Sequence, residues 1–125
     1  MPNPGLTKSM IAEAAILPYR VLKFGAADGQ VVQSSAAADA HVGVSDLGQD
    51  TAGARLDVIV DGIADITAGA ALTRGALLTS DAQGRVIAAT AAAGTNVRVI
   101  GVAMASAGAA GEVIPVAVSP GTFQG

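Results

Sequence analysis

Apolar and polar residues alternate in short bursts along this chain, and the bursts are separated by glycine, alanine and aspartate. Residues 55–61, RLDVIVD, show it best: Leu56, Val58 and Val60 fall on one side, and Asp57, Ile59 and Asp61 on the other. That period of two is the signature of a half-buried antiparallel strand. Segments 19–24 (YRVLKF), 30–34 (QVVQS), 41–45 (HVGVS), 76–80 (ALLTS), 85–90 (RVIAAT), 97–104 (VRVIGVAM) and 112–118 (EVIPVAV) also read as strands. Asp28-Gly29 and residues 81–84 (DAQG) supply turns. Gly43 and Gly101, inside strand patterns, imply a bulge or a close backbone approach. Pro115, with no N–H for a ladder, implies an edge strand or a bulge. Ahead of these, residues 6–16 (LTKSMIAEAAI) suit a short helix or an extended arm, and Pro18 stops any helix.

The strand pattern is written twice. Residues 43–62 align with 101–121, placing Gly43 on Gly101, Leu56 on Ile114, Val58 on Val116 and Val60 on Val118. Upstream, Gly29-Gln30-Val31-Val32 falls on Gly84-Arg85-Val86-Ile87. The order of strands, turns and small-residue connections agrees between the copies as well. The expected fold is all-β: a small barrel or sandwich of two similar four-strand units, with an extended or short-helical N-terminal arm. The arm is residues 1–17, and a single β domain spans 18–125, with its repeat at 18–62 and 76–121. The copies differ in their last strands. The first carries Asp57 and Asp61; the second carries Pro115 and no charge between Val113 and Val118. The second is therefore expected to be covered by a partner and the first to face water.

Composition sharpens this picture. The chain is 51% hydrophobic, but Ala and Val dominate, Trp is absent, and the aromatic residues are Tyr19, Phe24 and Phe123. Such a core is thin, so association with other chains is expected to complete its burial. Net charge is −3, and the seven basic residues are scattered, which gives no nucleic-acid footprint. Without cysteine there is no disulfide or thiol chemistry. The start lacks a signal-peptide pattern, and no apolar run reaches the roughly 20 residues that cross a bilayer. Asp39, His41 and Ser45 lie close in sequence but without a G-x-S-x-G turn, so no catalytic residue is assigned. Asp57, Asp61 and Asp65 read as a solvated strand face, and no phosphate loop occurs. Hence no metal or cofactor is expected.

Three segments carry a resemblance: AGAALTRGALLTSDAQGRV (68–86), RVIGVA (98–103) and GEVIPV (111–116). They resemble the small capsid cement or decoration proteins of tailed bacteriophages. Residues 18–45, from PYRVLKF through DGQVV to HVGVS, are similar to the core of the lambda-type head decoration protein family. The resemblance implies a non-enzymatic β module on the outer face of the assembled head, made in the host cytoplasm and carried on the virion. Its implied partners are the major capsid protein and copies of itself, a trimer being favoured over a dimer. It also implies that the arm adds a strand to a neighbouring capsid protein's sheet. The candidate contact residues are Leu6, Met10, Ile11, Ile16, Tyr19, Pro115 and Phe123. The competing reading is a small ligand- or carbohydrate-binding β module of a phage spike or adhesin. That module would need exposed aromatic residues, which are scarce here.

Overall fold

The structure, a computed structural model, describes residues 3–37, 39–89 and 96–124, with side chains at all of these but 3–5, 96 and 120–124. The described residues form nine strands and no helix. The strands are β1 (Asn3–Ala12), β2 (Arg20–Phe24), β3 (Gln30–Gln33), β4 (His41–Ser45), β5 (Arg55–Thr67), β6 (Leu77–Ser80), β7 (Val86–Ala88), β8 (Asn96–Ala103) and β9 (Val113–Gln124). They join in the order β1-β3-β2-β4-β5-β9-β8-β6-β7, and β1 also pairs with β5.

That last pairing closes β1, β3, β2, β4 and the first half of β5 into a five-strand barrel. The second half of β5 pairs with β9, from Gly62 opposite Val118 to Thr67 opposite Val113. Strands β8, β6 and β7 follow, and Val86 returns to the chain just past β5 through a bridge to Ala68. A second ring is thus closed on the same long strand.

The two rings match residue for residue. Leu22 faces Gly43 and Leu78 faces Gly101; Val44 faces Ile59 and Val102 faces Ala117. Met10 opposite Leu56 in one ring corresponds to Ile66 opposite Ile114 in the other. The isolated bridge Ile16 to Gln49 corresponds to Leu72 to Ala107. The cores follow suit. Met10, Ala12, Ile16, Leu22, Val31, Leu56 and Val58 form one cluster, and their counterparts Ile66, Ala68, Leu72, Leu78, Val86, Ile114 and Val116 all lie in the other. Small aliphatic side chains fill such narrow rings, which is why a chain nearly free of aromatic residues can still bury a core.

The correspondence reaches further upstream than residues 18–62 and 76–121. Strand β1 is the counterpart of the second half of β5, so each ring has five strands rather than four. The N-terminal segment is extended, and it pairs within its own chain as a barrel strand. Residues 62–67 continue β5, and residues 119–124 continue β9.

Pro115 is not on an edge. It lies in β9 between β5 and β8 and faces Asp65, away from the register shift at Val99 and Gly101. Its carbonyl accepts from the N–H of Met104, one residue past the end of β8 (3.0 Å). In an antiparallel strand a residue's C=O and N position point the same way. The missing N–H therefore points where β8 has already ended, and no bond to β5 is lost. Residues 113–118 pair with residues 62–67 of β5 and with β8, whereas residues 55–61 pair with β1 and β4 and keep Asp57 and Asp61 exposed.

Candidate interaction surface

The surface is best built from the residues at which one ring meets the other. On β2, β4 and β5 of the first ring, Val21, Val44 and Ile59 form a row pointing away from that ring's core. All three are buried, because the row packs against the second ring in the larger cluster, with Ile100 and Val118. The backbone at this joint is exchanged as well. In the first ring the Ile11 N–H donates to the Gly29 carbonyl (2.9 Å) and helps seal β1 to β3. The corresponding groups in the second ring are the Thr67 N–H and the Gly84 carbonyl. They bond instead to Tyr19 and Val21: Thr67 N–H to the Tyr19 carbonyl (2.9 Å), and Val21 N–H to the Gly84 carbonyl (2.7 Å). Residues 19–21 thus wedge into the seam of the second ring. The Arg20 guanidinium and the Gln33 amide both donate to the Gln83 carbonyl and hold the turn in place (2.9 and 2.7 Å). Tyr19 takes a positive φ of 59°, where its counterpart is Gly75 at 92°.

Outside the joint, large apolar side chains stand in solvent. Leu47 is the most exposed at 83%, on the loop after β4, and Leu17 is half exposed close by. The two segments are tied by paired bonds between Ile16 and Gln49 (2.6 and 2.9 Å). Gly48, at φ 74°, lies against the Ile16–Pro18 backbone, so close that a Cβ there would collide with it. Leu47 and Gly48 border two shallow hollows. One, of about 310 Å³, is lined by Ile16, Leu17, Pro18, Gln49 and Asp50; the other, of about 230 Å³, by Asp46, Arg55, Leu56 and Asp57. Neither hollow has an aromatic residue in its lining.

The expected contact residues separate into groups. Met10 and Ile16 are 4% and 3% exposed and belong to the core of the first ring, so their apolar area is used inside the chain. Leu6 is exposed on β1, and Ile11, Tyr19 and Pro115 are half-buried. The backbone of Phe123 pairs with Val97, and its side chain lies outside the described residues. Leu17 and Leu47, both exposed, are not among those expected residues, although a leucine inside the polar run SDLGQD is a legible signal of exposure for Leu47.

Asp39, His41 and Ser45 each have separate partners. The Asp39 carboxylate accepts from the Ser35 and Ala36 N–H groups (2.9 and 3.0 Å) and pairs with Lys23 (3.4 Å). Burial alone would raise its pKa, but the backbone donors and the Lys23 charge outweigh that and hold it below the usual range. Ser45 donates to the Leu17 carbonyl (2.8 Å). His41 Nε2 lies 3.3 Å from the Ala36 carbonyl, and burial lowers its pKa despite that bond. Among the described residues no group of three or more His, Cys, Asp or Glu could hold a metal ion. No helix among them is long and apolar enough to cross a membrane.

Comparison with known proteins gives one family: that described as phage cement protein matches residues 3–118. No curated protein matches. Among solved structures, the chain is similar to the N base of the head fiber gp8.5 in bacteriophage phi29. The TM-score is 0.68 at 18% identity, covering 91% of this chain and 93% of that one. The likeness is one of fold.

Proposed function

The chain belongs to the phage cement protein family and is a capsid-associated structural protein, and from that premise we propose that it binds the outer surface of the assembled head and clamps contacts between major capsid proteins. The observation that carries this reading is the family match, which spans both rings rather than one of them. A framework of nine paired strands with exposed leucines on its surface suits a clamp. A protein that binds the assembled shell and not its free subunits stabilises the shell by mass action. Leu17 and Leu47 with their two hollows are the shell-facing surface in this reading, joined by Leu6, Ile11, Tyr19, Pro115 and Phe123 from the sequence. The protein acts as a homo-oligomer, a trimer being favoured over a dimer. It is made in the host cytoplasm and carried on the outside of the virion.

The test is sedimentation of the purified protein with expanded and unexpanded shells of its phage. Stoichiometric co-sedimentation with the expanded shell is expected, with at least tenfold weaker binding for Leu47→Asp. Failure to sediment with either shell overturns the reading.

A further inference from the structure

The two rings are alike, yet the faces that join them are used only once. The row Val21, Val44 and Ile59 is buried against the second ring. Its counterpart in the second ring is Leu77, Val102 and Ala117, set in the same register across β6, β8 and β9. That row is uncovered: Leu77 is 41% exposed, and Val102 and Ala117 are only half-buried. The receiving side shows the same imbalance. Ile100 and Val118 of the second ring are 0% and 2% exposed beneath the joint. Their counterparts Val42 and Val60 pack against the first ring's core but remain only half-buried, and the turn at Gly29 is exposed with open space around it.

The backbone repeats the imbalance. In the joint, the Tyr19 carbonyl and the Val21 N–H bond to the second ring's seam. The corresponding Gly75 carbonyl and Leu77 N–H have no backbone partner among the described residues. Gly75 already holds the positive φ that the wedge requires, and its N–H bonds the Ala103 carbonyl (2.8 Å) just as that of Tyr19 bonds Ser45 (3.0 Å).

We propose that the Leu77, Val102 and Ala117 face, with the backbone edge at residues 75–77, docks onto the Val42, Val60 and Gly29 face of a second copy of this chain, repeating between chains the joint that already links the two rings within one. The occupant is a second copy because the complementary face is present on this chain and is only partly covered within it. The seam that receives the edge is held in each chain by the Ile11 N–H bond to the Gly29 carbonyl. Opening it gives up one hydrogen bond and forms two: Ile11 N–H to the Gly75 carbonyl, and Leu77 N–H to the Gly29 carbonyl. The contact is head-to-tail, so it leaves one free face of each kind at the ends of any open string, and a finite oligomer must close into a ring. This extends the self-association proposed above and does not depend on shell binding.

The test uses the full chain in solution. Light scattering coupled to size exclusion is expected to give a mass that is a whole multiple of 12.1 kDa. Leu77→Asp should reduce it to one chain while keeping the β-sheet circular dichroism spectrum and a cooperative urea transition. Leu47→Asp should leave the mass as it was. A wild-type protein that stays at one chain mass at micromolar concentration overturns the proposal, as does Leu77→Asp retaining the full mass. Should Leu77→Asp fail to fold, cysteine pairing decides, since the chain has no cysteine of its own. Oxidising a mixture of Leu77→Cys and Asp28→Cys proteins should cross-link one kind to the other, whereas Leu77→Cys cross-linked mainly to itself indicates a two-fold contact and overturns the proposal. A protein that self-associates in this way but ignores shells overturns only the shell-binding reading.

Discussion

Gly43 and Gly101 show how one missing side chain sets a local geometry twice. A Cβ at Gly43 would strike the carbonyl oxygen of Ile59, and one at Gly101 would strike that of the corresponding Ala117. Backbone, unlike a flexible side chain, cannot give way cheaply, so Gly101→Ala should destabilise the fold by about 1–3 kcal/mol, read from the urea midpoint. Tyr19 carries the opposite anomaly, a bulky residue at a φ that suits glycine. Replacing it by Gly and by Ala removes the same ring in both cases and isolates the backbone term; the Gly variant should be more stable than the Ala variant by about 1 kcal/mol. His41 ties stability to pH. Its folded pKa is lowered by burial, so below the ordinary imidazole value of about 6.5 the unfolded chain takes up a proton that the native one resists. Stability should be full at pH 7.5 and fall as pH drops through the ordinary imidazole value of about 6.5 towards the lower folded pKa, and His41→Asn should flatten that fall in a urea titration. Asp39 acts in a separate, more acidic window. Its folded pKa is lowered below the ordinary carboxylate value, so its contribution is present at neutral pH and is lost as pH falls through the folded pKa. Both glycines were legible in the sequence as close approaches, because a glycine inside an alternating strand gives up side-chain packing and is kept where the backbone needs the space. The strain at Tyr19 was not legible, since nothing in a one-residue context marks a positive φ.

At the scale of elements, β1 and β5 decide most. Strand β1 seals the first ring by pairing with both β5 and β3, and it places Met10 and Ala12 in the core. Deleting residues 1–12 should therefore abolish cooperative unfolding of the chain, not merely weaken an interface. Circular dichroism with urea will show this before any shell is added. Leu22 and Leu78 are counterparts with no exposed surface, so Leu22→Ala and Leu78→Ala should each cost about 2–5 kcal/mol. The sequence made the outer alternation of β5 plain but not its length, because Gly62 and Asp61 look like a turn. Gly62, at φ 106°, instead marks the passage of the strand from one ring to the other. An apolar arm likewise reads the same whether it pairs with its own chain or with a neighbour's, since both burials ask for the same residues.

At the scale of the whole molecule, the two rings share a strand and a buried joint. A cut between residues 61 and 62 would separate the two halves of β5 and expose Val21, Val44 and Ile59. Neither half is expected to show native-like amide protection alone; in hydrogen exchange the core amides of both rings should open together in the intact chain. The thin core noted in the sequence is met partly from within, as one ring covers a face of the other. The faces left over are where association is to be sought.

The sequence by itself determined the all-β class, the doubled pattern, the small-aliphatic core and the family resemblance. Each of these rests on residue order and side-chain size, which are local properties. The tertiary structure alone decided that the arm is a barrel strand, that Pro115 is central, and that like surfaces on like rings meet different fates. Those depend on which edges and faces meet across the fold. Two copies with nearly the same pattern cannot show, in their own letters, which of them is covered by the other.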